Sequence, residues 1–255
     1  MIINVRGADW FYTDSGEGDP VLFLHGGLDT VANYSRLLAE LASDFQVIAV
    51  DRRGHGRSED TDMPFDYALM ADEVHEFAMK LGLRLFHILG YSDGANIGFH
   101  LAADHPEAVK SLVAVSGNYK GLSGMSQKWL DMLPELSVEF SRERMPKVVE
   151  QYTMLNPHPD LAAFMEKTKA IWTLETVISR EKLGRITTKT LLVSGDRDIV
   201  LPEQAVEMHG IIPDSSLMIL PDTGHFIFQD SAYRPPAASA VPVLKNFLGK
   251  NSVPA

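Results

Sequence analysis

Ser92, Asp198 and His225 follow one another in an order that makes a nucleophile, its base and the base's support available in one chain. A serine hydroxyl attacks poorly until a base removes its proton. The imidazole that does so needs an acid to fix its tautomer and to stabilise the imidazolium it becomes. Ser92 lies in Gly90-Tyr91-Ser92-Asp93-Gly94, directly after the apolar run Leu85-Phe86-His87-Ile88-Leu89 and before a helix-like run of small residues. In that setting G-x-S-x-G is a forced strand-to-helix turn that lifts the hydroxyl clear of its own backbone. Glycines at 90 and 94 keep side chains out of the turn, and the first N–H groups of the following helix point at whatever Ser92 attacks. A bare G-x-S-x-G is an ordinary Gly-rich turn in many chains, so its weight comes from the partners.

Those partners stand at the ends of other apolar runs. Asp196 and Asp198 follow Thr190–Val193, and His225 follows Leu217–Leu220. In a parallel sheet the strand C-termini share one edge, where ligands bind. Asp198 is favoured as the acid because the third residue after Gly195 faces that rim; Asp196 reads as a solvated turn residue and Asp222 as a turn former. His25-Gly26-Gly27 follows the strand Val21–Leu24, so the Gly27 backbone can approach a substrate oxygen, and the Asp93 N–H is the expected second oxyanion donor. His25 is expected to orient that loop and to border the substrate pocket. His55, His87, His100, His105 and His209 are explained by packing or solvation and receive no chemistry. The Asp93 side chain is acidic beside a site that develops negative charge. Either the start of the following helix offsets it, or a cationic group on the substrate does.

The elements that must position these residues alternate. A hairpin or two short strands over residues 2–14, strands at Val21–Leu24, Gln46–Val50, Leu85–Leu89, Ser111–Val115, Thr190–Val193 and Leu217–Leu220, and helices after most of them read as a helix-covered, mostly parallel sheet. Between 119 and 185 the strand pattern stops. Apolar residues recur there at helical spacing, broken at Pro134, Pro146, Pro157 and Pro159, so this stretch is a helical insertion. It holds ten Lys or Arg against nine Asp or Glu, which leaves nearly all of the chain's acidity in the flanking segments. Trp129, Met132, Tyr152 and Trp172 are its expected pocket residues, since adaptable apolar side chains suit an acyl group. The last helix, about Ala237–Leu248, should be kinked or shortened by Pro242.

Together, His25-Gly26-Gly27, Asp51-x-Arg53-Gly54-His55-Gly56-x-Ser58, Gly90-x-Ser92-x-Gly94, Gly195-x-x-Asp198 with Pro202 beyond it, and Gly224-His225 resemble the α/β-hydrolase superfamily over nearly the whole chain. The resemblance implies an α/β fold with an eight-stranded sheet, one antiparallel strand near its start, a core formed by 1–118 and 186–255, and a helical cap at 119–185. It also implies no cofactor. A serine at the elbow disfavours the dehalogenase-like and epoxide-hydrolase-like relatives, which use a carboxylate there. Hydrolysis of an ester, thioester, lactone or amide through an acyl-enzyme remains, with a small carboxylic ester or lactone favoured. Carbon–carbon bond hydrolysis, a cofactor-free haloperoxidase or perhydrolase, and a hydrolase-fold signalling receptor with slow turnover are the alternatives. Asp93 and Pro242 depart from the family pattern.

Composition narrows the partners. With 255 residues and 45% hydrophobic content, the chain can bury a large core. A net charge of −11 with no basic run argues against nucleic acid. The absence of cysteine excludes disulfides, thiolate catalysis and Cys-based metal sites. No charged-then-apolar leader and no run of about 18 apolar residues is present, so the expectation is a cytoplasmic protein, off the membrane, acting on a small molecule. A homo-oligomer is compatible with all of this.

Overall fold

The computed structural model describes residues 1–251. Its strands are β1 (Ile2–Val5), β2 (Ala8–Ser15), β3 (Pro20–Leu24), β4 (Gln46–Val50), β5 (Phe86–Tyr91), β6 (Val109–Val115), β7 (Thr190–Gly195) and β8 (Ser215–Leu220). They form one eight-stranded sheet in the order β1-β2-β4-β3-β5-β6-β7-β8. β2 runs antiparallel to both neighbours, and every pair from β4 to β8 is parallel. The central strands are buried on both faces, which is why they read as unbroken apolar runs rather than alternating ones.

The two faces nevertheless separate at period two. Leu22, Leu24, Ile48 and Ile88 pack beneath α2 (Tyr67–Lys80) and α3 (Asp93–Asp104). Val21, Phe23, Val47 and Leu89 pack against α1 (Ser35–Leu41) and the last helix on the other face. Between β6 and β7 lie α4 (Gln127–Met132), α5 (Val138–Arg144), α6 (Pro146–Leu155), α7 (Leu161–Trp172) and α8 (Arg180–Leu183). Pro146 opens α6 at a position where its missing N–H costs nothing, and Pro157 and Pro159 separate α6 from α7. α9 (Pro202–His209) and α10 (Pro235–Lys250) complete the chain. Among the described residues no helix is long and apolar enough to cross a membrane.

One expectation is corrected here. α10 continues through Pro242 for 16 residues, so the proline does not shorten it. Pro242 lies on the exposed side, where water can serve the carbonyl that loses its partner.

A close backbone contact lies where α3 leaves β5. An added methyl at Gly94 would overlap the carbonyl oxygen of Leu24 and approach that of His25, whereas one at Gly98 would meet only the flexible end of Leu112 at 2.8 Å. Gly94→Ala is therefore expected to cost about 3 kcal/mol or more in denaturant unfolding, because backbone cannot yield. Gly98→Ala should cost less than about 1 kcal/mol, its clash being offset by helix propensity. Equal losses at the two positions would contradict the backbone-contact explanation.

Candidate active site

β5 and α3 meet at Ser92, whose backbone is left-handed (φ 53°, ψ −117°). A serine there is strained, and the surroundings hold it in place. Its N–H donates to the Val115 carbonyl at 2.8 Å, and its own carbonyl accepts from the N–H groups of Ala95 and Asn96 at 2.8 and 3.0 Å. The hydroxyl is thereby presented above the C-terminal ends of the central strands.

His225, in the loop after β8, reaches Ser92 Oγ through Nε2 at 3.1 Å and Asp198 Oδ1 through Nδ1 at 2.6 Å. Because a carboxylate can only accept, Nδ1 carries the proton and Nε2 is left to receive that of Ser92. The Tyr91 hydroxyl donates to the His225 carbonyl at 2.9 Å, tying this loop to the strand that bears the serine. Asp198 is buried after β7. Its Oδ1 also accepts the Val200 N–H at 3.0 Å, and its Oδ2 accepts the Ser116 hydroxyl at 2.5 Å. Burial alone would push its carboxyl up, but His225, through charge and hydrogen bond, and the donors Ser116 and Val200 outweigh it and hold the group below the usual carboxylate value. Asp196 is exposed, accepts the Thr223 N–H at 3.0 Å and does not reach His225; Asp222 is exposed and pairs with Arg197.

Ser92 opens into a cavity of about 250 Å³. Gly27 and Asp93 both line it, and a side chain at Gly27 would overlap Asp93 Oδ2 and the Trp172 ring, so only glycine fits. Asp51 anchors the far leg of the Gly27 loop by accepting the Thr30 hydroxyl at 2.7 Å and the Val31 N–H at 2.8 Å. The Asp93 carboxylate accepts from the Tyr67 hydroxyl at 2.7 Å, and the Trp172 indole N–H lies across its two oxygens at 3.2 and 3.1 Å. Trp129, Met132 and Trp172 line the cavity, with the two indoles in edge contact at 5.1 Å.

Two sequence-based pocket residues do not. His25 is fully buried: its Nδ1–H donates to the Gly26 carbonyl at 2.7 Å and Nε2 accepts the Arg52 N–H at 3.1 Å. Burial, followed by the charge of Arg52, holds its pKa well below the ordinary imidazole value, so it braces the loop as a neutral ring. Tyr152 stacks on Phe164 at 4.3 Å, with its hydroxyl donating to the Asp160 carbonyl, and borders a separate small cleft. Both are corrected from pocket residues to packing residues. Sequence reasoning missed Ser116, Tyr91 and Tyr67. Ser116 has a left-handed φ of 55°, but a Ser-Gly pair after a strand gives no sign of a distant carboxylate partner.

Among the described residues, the group of side chains whose arrangement suits a metal is His75, His105 and Glu107, with ligand atoms within 4.8 Å of one another. His105 caps the end of α3 opposite Ser92, so this group is remote from the cavity.

The sequence model describing the alpha/beta hydrolase fold matches residues 19–153, more than half of the chain. The chain belongs to the α/β-hydrolase fold family. Within it, the chain is 27% identical over 231 residues to the Cronobacter turicensis protein named "Putative carbamate hydrolase RutD", covering 82% of this chain and 85% of the relative. Among solved structures of this α/β-hydrolase fold, the N-acyl homoserine lactone degrading enzyme Est816 superposes with a TM-score of 0.77 at 23% identity, covering 97% of this chain and 100% of that one. The meta-cleavage product hydrolase of Pseudomonas fluorescens IP01 superposes with a TM-score of 0.76 at 19% identity, covering 98% and 97%.

In this α/β-hydrolase the Ser116 contact yields a test. Asp198 has a folded-state pKa below its unfolded value, so it contributes stability that is present above the unfolded value and lost as pH falls through the folded one. Ser116→Ala removes one cause of the depression. It should lower stability at neutral pH by about 1.5–3 kcal/mol, with the difference from wild type shrinking in acid, and lower any Ser92-dependent kcat by about tenfold with KM little changed. Unfolding curves across pH, together with steady-state kinetics, check this. Unchanged stability and kcat would mean that the hydroxyl does not hold Asp198.

Proposed function

We propose that the protein is a serine hydrolase that cleaves a small carboxylic ester or lactone through an acyl-enzyme. The observation that carries this reading is the unbroken line from Ser92 Oγ to His225 Nε2 and from His225 Nδ1 to Asp198, at 3.1 and 2.6 Å, at the floor of a largely apolar cavity. Ser92 Oγ attacks the carbonyl carbon while its proton passes to His225 Nε2, and Asp198 stabilises the imidazolium. The carbonyl oxygen, now an oxyanion, takes hydrogen bonds from the backbone N–H groups of Gly27 and Asp93 at the start of α3. His225 returns the proton to the departing alcohol oxygen as the C–O bond breaks. Water, deprotonated by His225, then attacks the acyl-Ser92 carbonyl, and collapse releases the acid and restores the serine.

In this reading the 119–185 helices are a cap that roofs the acyl group, and neither metal nor organic cofactor takes part. The substrate is a small molecule, and the site of action is the cytoplasm. A second reading, hydrolysis of a carbamate on the same residues, is favoured by the names of the relatives matched over 82% of this chain.

A fluorophosphonate probe should label Ser92, and Ser92→Ala should abolish both labelling and turnover of short p-nitrophenyl esters, a fall of about a thousandfold or more. Labelling that survives Ser92→Ala would sink the assignment, and labelling without turnover of esters or carbamates would favour a receptor. Asp198→Asn should lower kcat by about ten-thousandfold, since an amide can hold the wrong His225 tautomer, while Asp196→Asn should have a far smaller effect. Equal mild losses from the two variants would place the acid elsewhere.

A further inference from the structure

We infer that the acyl group accepted by this cavity is uncharged, because the wall beside Ser92 repels carboxylates and yet has no free capacity to pair an ammonium. The inference deepens the hydrolase reading and uses it only to say which end of the ligand lies at Ser92.

The wall carries the carboxylates of Asp29 and Asp93, and among the described residues no lysine or arginine lines it. The nearby cation is Arg52, which is buried behind the Gly26–Gly27 loop and donates to the Gly26 carbonyl at 2.7 Å. Its charge can balance one of the two carboxylates; the other remains. A ligand carboxylate would give up its hydration and meet uncompensated negative charge with no cation to receive it.

An ammonium fares little better, because both acids are already engaged. Asp29 Oδ1 accepts the Thr30 N–H at 2.9 Å and the Asn33 amide at 2.5 Å; its Oδ2 accepts the Tyr34 hydroxyl at 2.5 Å and the Gln229 amide at 2.8 Å. Burial pushes the Asp29 carboxyl upward, and those donors act against it. Asp93 is held by Tyr67 and by the indole N–H of Trp172. A cation could pair with either acid only by displacing donors that would themselves be left buried and unsatisfied. The rest of the wall is largely apolar, with Met125, Trp129, Met132, Leu136, Ile171 and Val177 facing the cavity, and its other polar side chains, such as Asn33, Asn96, Asn118 and Gln229, are uncharged. An alkyl or aryl acyl tail gains from that surface, and a charged tail of the same length loses its water there.

The test uses full-length Ser92→Ala protein and three primary amides of equal chain length, hexanamide, adipamate and 6-aminohexanamide, which differ only in a neutral, anionic or cationic tail end. Binding is followed by the fluorescence of Trp129 and Trp172, which meet across the cavity. Hexanamide should bind at least about tenfold more tightly than either charged analogue. Asp93→Asn in the same background should improve adipamate binding several-fold relative to hexanamide. Adipamate or 6-aminohexanamide binding as tightly as hexanamide, or no binding of hexanamide, would overturn the inference. Since nothing is turned over, a failed esterase assay with this selectivity intact would count against the hydrolase reading alone.

Discussion

Much of this molecule follows from one steric constraint, the contact between the backbone of α3 and the end of β3. Gly94 touches the Leu24 and His25 carbonyls so closely that no side chain fits, and Gly90 faces the Gly94 backbone in the same way. A helix brought that near can leave β5 only through a residue with positive φ, and the residue placed there is Ser92. The strain at the serine is the geometric cost of packing helix on strand without a gap. The same contact puts the loop after β3 against the first turn of α3, so that Gly27 and Asp93 become neighbours although 66 residues separate them in sequence.

Around that contact, polar anchors set the loops. Asp51 takes the Thr30 hydroxyl and the Val31 N–H, Tyr91 holds the His225 carbonyl, and Ser116 takes one oxygen of Asp198. Each joins the tip of one strand to the loop of another, which converts six separate strand ends into one rim. Hydrogen bonds to buried carboxylates are stronger than neutral ones and cost more to leave unmade. Loops of this kind, which backbone ladders do not fix, depend on them.

The sheet was legible in the sequence because its strands are short apolar runs closed by Gly, Pro or Asp. β4 spans the residues that the pattern indicates, and the other strands differ at their ends. The side chains at Ser92, Asp198 and His225 were readable because each follows such a run, and parallel topology brings those ends together. The choice of Asp198 over Asp196 rested on loop position, and the structure gives the physical difference: one is buried against His225, the other exposed against Thr223. The helical insertion was less legible. Apolar residues at helical spacing show that a helix has a face, not what the face meets, so Trp172 and Tyr152 looked alike although one borders the cavity and the other stacks on Phe164. Ser116 was invisible because its partner is 82 residues away and its backbone strain leaves no compositional mark.

Gly27, Asp93 and Trp172 form a mutually locked trio. A methyl at position 27 would collide at once with the Asp93 carboxylate and the Trp172 ring, while Trp172 is oriented by its bond to Asp93. No member can change size alone without breaking a contact made by the other two. Sequence drift at these positions must therefore proceed by paired or triple replacements, and single steps meet a barrier from either side. Descendants of this chain that acquire a different acyl pocket would more readily do so through Met125, Met132 or Leu136, side chains of the same cavity that share none of that lock.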